Sequence, residues 1–486
     1  MLLNLLVLMY VICAVLLTLY ASSQLFLLFV YLRHRRDQTP TPPVTEWPTV
    51  LVQLPIYNER HVVSRLLESV AALDYPADRL IIQLLDDSTD ETVQLAAEKI
   101  ASLRQRGLNA HHIRREDRSG YKAGALAYGL SLVDTELVMV LDADFVPPPD
   151  FLRRTVPHLV ANPQLGMVQT RWGHLNPFTN LLTRGQTLAL DSHFVVEQTA
   201  RSRGGWLLTF NGSGGVWRTQ CIRDAGGWRD LTLTEDLDLS FRAQLAGWKF
   251  FYMPDVVVPG ELPPQIAAYK QQQARWAKGT TQCLHYIIGP LWRSRFGLSR
   301  KLMATLHLCQ YMPHPLMLLI LLLTPPLLTS RMFQHLPLSL LGIAGLATPL
   351  IYVISQRTLY EDWAQRLLAF PVLMALGTGI AWSNAQAVIS GFFGHHSEFR
   401  RTPKFVNGWQ GSGYALRRDP TTWIEFALAL YAFWAMALAL RFSPALAPWL
   451  GIYGFSFALI AAWGLYDRWM LYRAAQQLTP RTQSTL

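Results

Sequence analysis

The stretch "ELVMVLDADF" (residues 136–145) decides how the chain folds. Leu137 to Leu141 form an unbroken apolar run, the pattern of a strand buried on both faces. The run then stops at Asp142 and Asp144. Two carboxylates at alternate positions after a buried strand can both reach one hard divalent cation bridging a diphosphate. The same pair also suits a polar strand end with no further role.

Neighbouring segments repeat the pattern. "TVLVQLP" (49–55) and "LIIQLLDD" (80–87) read as strands, and helices are expected over about 59–73 and 91–106. Alternation of strands and helices predicts a mostly parallel sheet covered by helices, an α/β fold of Rossmann-like type. Such sheets bind ligands at the carboxyl ends of their strands, where both acidic clusters lie.

Composition places this domain beside a membrane. Of 486 residues, 51% are hydrophobic and 16% charged, against about 25% charged in a usual soluble domain. The net charge of +10 suits nucleic acid or membrane-flanking basic residues. The local sequence favours the second. Arg33, Arg35 and Arg36 follow one apolar run, and Arg293, Arg295, Arg300 and Lys301 precede another. A nucleic-acid binder needs a basic face with interleaved aromatics, so no nucleic acid is expected. Cys13, Cys221, Cys283 and Cys309 form no CxxC pair, which indicates neither a zinc site nor a disulfide framework.

Residues 2–32 carry no Asp, Glu, Lys or Arg. That is longer than the apolar core of a secretory signal and long enough to span. We assign 1–33 to an N-terminal transmembrane helix, 34–48 to a linker, 49–280 to the α/β domain and 281–302 to an interfacial amphipathic segment. Two spans are expected in 303–355 and two more in 422–466, with a cytosolic tail over 467–486. The run 366–392, broken by "WSNAQ" (382–386), is read as interfacial or re-entrant. The parity rests on Arg400, Arg401, Lys404, Arg417 and Arg418, which mark 393–420 as cytosolic. The expected protein is multi-pass, with its N-terminus outside and its α/β domain in the cytosol.

Other segments carry chemistry alongside bland readings. "LLDDSTD" (84–90) ends a strand in Asp86 and Asp87, which can also cap the next helix. "GYKAGAL" (120–126) offers Lys122 to a phosphate or simply to solvent. "LTEDLDLS" (233–240) holds Glu235, Asp236 and Asp238 at an expected helix start. There they serve as a general base or only favour the helix dipole. "FNGSGGVWR" (210–218) either closes over a sugar or makes a bend. In "QQQARW" (271–276), Gln272, Arg275 and Trp276 share one helix face, a poor core stripe.

In this order, these motifs resemble the membrane-embedded glycosyltransferases of family 2, the group of cellulose synthase and hyaluronan synthase. The likeness is closest to plant cellulose-synthase-like mannan and glucomannan synthases. It is carried also by "LPIYNER" (54–60), "DDSTDET" (86–92) and "DADFVPPPDFL" (142–152). The resemblance implies a GT-A fold and, residue by residue, these roles. Asp86 and Asp87 contact the nucleotide base or ribose, and Lys122 touches the donor diphosphate. Asp142 and Asp144 hold Mg2+ or Mn2+. Asp236, beside Glu235, is the base. Gln272 and Arg275 grip the diphosphate, and Trp276 stacks under the acceptor sugar. "GHHSEFRRTPKF" (394–405) looks like a gating loop of these synthases, with a different motif. No added cyclic-nucleotide regulatory domain is expected.

The activity expected is inverting transfer of a hexose from UDP-glucose or GDP-mannose to a growing β-linked polysaccharide, with translocation, at the plasma (inner) membrane. The rival is single transfer to a lipid acceptor. A transporter with a nucleotide-binding domain would need ionisable residues inside its spans, and these spans carry very few.

Overall fold

The computed structural model describes residues 1–37, 39–330, 345, 347–394 and 421–478. The basic loop expected at 393–420, apart from its first two residues, lies outside the described residues, as do residues 331–344 and 346 of the region 303–355 and the tail from 479.

Seven strands form one sheet in the order β3-β2-β1-β4-β6-β5-β7. They are β1 Val50–Ile56, β2 Leu80–Asp86, β3 Ala110–Ile113, β4 Leu137–Val140, β5 Leu165–His174, β6 Gly215–Arg218 and β7 Lys249–Gly260. β6 runs antiparallel to both of its neighbours, and the other ladders are parallel. The helices of this part are α2 Val63–Ala71, α3 Thr92–Gln105, α4 Tyr121–Ser131, α5 Phe151–Ala161, α6 Leu181–Ser192, α7 Thr199–Arg203, α8 Thr219–Asp224 and α9 Glu235–Leu245. α1 Leu2–His34 precedes the sheet, and α10 Ile266–Arg293, α11 Leu298–Leu308 and α12 Pro313–Thr329 follow it.

Alternation along β1 builds both cores. Val50, Val52 and Leu54 join one apolar cluster with α2 and α5, while Leu51 joins the opposite one with α4 and α9. Each fully buried Val or Leu contributes about 1.5–3 kcal/mol, so the sheet is a stiff base for the loops at its edge. Gln53 is fully buried on the Leu51 face. It donates to Gln83 and to the Leu126 carbonyl, and a Cβ on Gly129 would lie 2.7 Å from its amide nitrogen. That glycine lets α4 close over a buried polar pair.

Among the described residues, three helices are long and apolar enough to cross a membrane: Leu2–His34, Thr422–Phe442 and Pro444–Met470. Counting each of two bent pairs as one span raises the number to five. The helix Thr422–Phe442 buries Ala429, Ala432, Ala435 and Ala439, a small-residue stripe that lets helices approach closely. The first of the two spans expected in 303–355 falls on α11 and α12, which are bent by 67° to each other. Pro313 at the start of α12 opens a new helix instead of extending α11. Residues 281–293, expected in an interfacial segment, continue α10. The run 366–392 lies in a pair of helices bent by 43°, Trp363–Gly379 and Ala381–Phe393. Gly379 sits at the bend with its Cβ position 2.3 Å from the Ile460 side chain, so only glycine allows that approach.

Candidate active site

The site is built at the carboxyl edge of the sheet, and the acidic turn is its first element. β4 ends at Val140, so Asp142 and Asp144 stand in the turn after it, where Phe145 N donates to Asp142 O at 3.1 Å. Phe145 anchors the turn. Its ring packs on Trp172 with centroids 4.9 Å apart, and a Cβ at Gly260 would come within 2.7 Å of it. Ser213 Oγ accepts from Asp142 N at 3.0 Å. The acidic turn is thereby tied to the Gly-rich "FNGSGG" loop. Both carboxylates line one cleft, and Asp144 is 2% exposed.

Lys122, near the start of α4, holds the centre of the cleft. Its Nζ lies 2.6 Å from Asp142 Oδ1, 2.8 Å from Gly212 O and 3.6 Å from Glu235 Oε1. Burial opposes its charge, but Asp142, Glu235 and Asp236 together hold its pKa above the ordinary lysine value. Gly212 is required twice over. Its φ is +84°, and a Cβ there would stand 3.0 Å from Asp236 Oδ2.

α9 sorts the three acidic residues at its start. Glu235 and Asp236 line the cleft. Asp238 does not; it pairs with Arg242 at 2.7 Å and is buried away from the cleft. Asp236 accepts from Leu237 N at 2.8 Å. Burial and the neighbouring Glu235 charge push its pKa up to about 7, against the pull of Lys122, the Leu237 N–H and Arg275. A carboxyl group poised there suits proton transfer at neutral pH.

α10 brings Gln272, Arg275 and Trp276 to the same cleft. Its first turn is clamped from the apolar helices: Asp467 Oδ2 accepts from Ile266 N at 2.8 Å. Lys270 pairs with the buried Glu425, and its Nζ lies 2.6 Å from Thr421 Oγ1. Lys278 Nζ donates to Ser390 Oγ at 2.8 Å. A second cavity, lined in part by aromatic side chains, shares Trp276, Gln272 and Asp236 with the cleft. It continues past Phe194 and Tyr269 to Tyr20 of α1 and Tyr311 before α12.

The DDS segment divides its two carboxylates. Asp87 lines the cleft, held by both of its oxygens to Arg115 at 3.0 and 2.5 Å. Asp86 does not line it. Its carboxylate lies beneath, accepting from Ser88 N and facing His112 Nε2 at 2.8 Å each. Burial resists its ionisation, but His112 and Ser88 outweigh that and hold its pKa below the ordinary aspartate value. Sequence reasoning missed Tyr57 and Arg118, both in the cleft wall, with the guanidinium 3.4 Å from the ring centroid. Tyr57 lies in "LPIYNER" (54–60), and the basic run before "GYKAGAL" was the signal for Arg118. It also missed Lys270, Glu425 and Asp467. Their only signal was a carboxylate inside an apolar run.

A sheet of this order, with an acidic turn after β4 and a Gly-rich loop facing it, defines a GT-A domain. Residues 48–279 match the family described as Glycosyltransferase like family 2, and this domain belongs to it. Glucomannan 4-beta-mannosyltransferase 1 of Oryza sativa subsp. japonica is 43% identical over 266 residues, 53% of this chain and 50% of that protein. Glucomannan 4-beta-mannosyltransferase 2 of Arabidopsis thaliana is 44% identical over 255 residues, 52% of this chain and 48% of that protein. The chain thus spans about half the length of the curated relatives it matches. The mannosyltransferase PcManGT from Pyrobaculum calidifontis, solved with GDP-Man and Mn2+, shares the fold. Its TM-score is 0.57 at 19% identity, over 79% of this chain and 99% of that one.

Proposed function

We propose that the protein is an inverting membrane hexosyltransferase that extends a β-linked polysaccharide of mannan type, with GDP-mannose as donor and UDP-glucose as the competing candidate. The observation that carries this reading is Asp236, raised to about 7, in one cleft with Lys122, Asp142, Asp144, Arg275 and Trp276. The relatives' names favour mannose. We also propose a cytosolic catalytic domain in a multi-pass protein of the plasma (inner) membrane.

Asp142 and Asp144 fit a hard cation. They offer carboxylate oxygens only, and the described residues hold no cluster of three His, Cys, Asp or Glu around a metal position. These two residues would hold Mg2+ or Mn2+ through carboxylate oxygens, the ligand type such ions prefer. Such an ion, when bound, neutralises charge on the leaving diphosphate. Lys122 and Arg275 act on the same charge from the protein side, Arg275 with a planar fork suited to phosphate. Trp276 gives the acceptor ring a face. Asp236 takes the proton of the acceptor hydroxyl as its oxygen bonds to the anomeric carbon, and the bond from that carbon to the diphosphate breaks. A single displacement from the face opposite the leaving group inverts the centre. The cavity beyond Trp276 supports a bound chain and its translocation.

The test is incubation of the purified protein with each nucleotide sugar, with product sizing and mannanase or glucanase digestion. A mannanase-sensitive polymer, lost in EDTA and restored by Mn2+ or Mg2+, is expected. A single hexose on lipid would instead favour the lipid-acceptor rival. The pH dependence has a definite sign. The base must be ionised, so kcat is expected to fall as pH drops through about 7, where Asp236 takes up a proton. A flat rate between pH 6 and 8 with chemistry rate-limiting would remove Asp236 as the base.

A further inference from the structure

His174 was not among the residues singled out by sequence, yet it lines the cleft. It ends β5, paired across the ladder with Gly260. Its Nε2 lies 2.9 Å from Asp191 Oδ1. Asp191, on α6, is 1% exposed and lines neither cavity. Gln356 Nε2 donates to its other oxygen at 2.8 Å, and the Tyr360 hydroxyl lies 3.5 Å from Oδ1. Gln356 is fully buried on the helix Ala347–Leu359. A line of polar groups thus runs from an apolar helix to the wall of the cleft.

The direction of these bonds fixes the ring's chemistry. An ionised carboxylate only accepts, so Nε2 is the nitrogen that carries the proton toward Asp191. In the neutral ring Nδ1 is then an acceptor. Among the described residues Nδ1 has no protein partner, and it is not one of the sealed, orphaned polar atoms. The rest of the ring is enclosed, the side chain being 3% exposed. An ionised diphosphate offers no proton to such an atom, whereas a sugar hydroxyl does. His174 shares the cleft with Lys122, Asp142 and Asp144 and does not line the cavity beyond Trp276, as a residue that meets the donor sugar would.

We propose that His174 binds a hydroxyl of the donor hexose through Nδ1 and so helps choose the sugar, with Asp191, held by Gln356 and Tyr360, as its positioning residue. This rests on the hexosyl-transfer reading above.

The test compares binding of the free nucleoside diphosphate with that of the intact nucleotide sugar, by calorimetry on the full-length protein, and follows donor preference by turnover. His174→Ala is expected to weaken the preferred nucleotide sugar about 3–10-fold, the worth of one hydrogen bond, and to leave GDP or UDP within about twofold. It should also narrow the preference between GDP-mannose and UDP-glucose. Asp191→Asn, which does not touch the cleft, should reproduce this pattern by unfixing the ring's proton. His174→Gln, which can offer an amide oxygen, should retain more. If His174→Ala does not fold, the same comparison on the other two variants decides. Equal losses for diphosphate and nucleotide sugar would overturn the proposal, because the ring would then serve phosphate or packing. Unchanged affinities and preference would overturn it as well. Wild-type protein that neither binds nor turns over any nucleotide sugar would remove the transfer reading itself and this inference with it.

Discussion

Asp236→Asn is expected to leave the domain folded, to bind the nucleotide sugar nearly as before, and to lose transfer by about 10²–10⁴-fold. A sugar hydroxyl ionises far above neutral pH, so it attacks well only if a neighbour takes its proton in the transition state. Three carboxylates open α9, and the structure gives them different surroundings. Asp238 is bound to Arg242 by two contacts of 2.8 and 2.7 Å and faces away from the cleft. Glu235 lies in the cleft, 3.6 Å from Lys122. Asp236 also lies there, one oxygen on Leu237 N and the other beside Gly212, with its pKa raised to about 7. Asparagine keeps the shape and can still accept from Leu237 N, but it cannot take a proton. Asp238→Asn should act differently: it weakens the Arg242 pair, lowers the melting temperature and changes kcat little. The assignment fails if Asp236→Asn keeps most of its kcat while Glu235→Gln loses it.

The strands were legible because their burial is two-sided. Val50–Ile56, Leu80–Asp86 and Leu137–Val140 read as near-continuous apolar runs, and each ends within three residues of an acidic group. The antiparallel β6 was not, because four residues in a Gly-rich loop carry no period. Cleft residues were legible where a short motif places them, as at Asp142, Asp144, Asp236 and Arg275. The split between Asp86 and Asp87 was not. Which neighbour points into the cleft depends on His112, Ser88 and Arg115, and on how β3 and the segment after it return to the sheet. The clamp on α10 is further from reach. Lys270 and Glu425 lie 155 residues apart, and Ile266 and Asp467 lie 201 apart. No local pattern announces either pair. The bend between α11 and α12 was within reach, since Pro313 interrupts an otherwise spanning run.

Lys122→Met should cost at least about 10²-fold in transfer at neutral pH, the scale of removing one preorganised charge from a transition state. Part of that loss should return as the pH is raised. Asp142, Glu235 and Asp236 converge on this ammonium group, whose side chain is 16% exposed. Methionine keeps much of the length and apolar stem but removes the charge. Asp236 then loses the first of the groups that favour its ionised form, while burial and Glu235 still oppose it. Its pKa must climb further above about 7. The ionised base becomes scarcer at neutral pH, so the inflection of the kcat profile should move to the alkaline side. The diphosphate meets the same carboxylates with less positive charge beside them, so donor affinity should fall too. Lys122→Arg restores the charge with a different shape. It should return the inflection toward the wild-type value even if the rate stays low. A Lys122→Met protein that folds and loses activity with an unshifted inflection would mean that the lysine acts on the diphosphate alone. In that case it does not set the protonation state of Asp236.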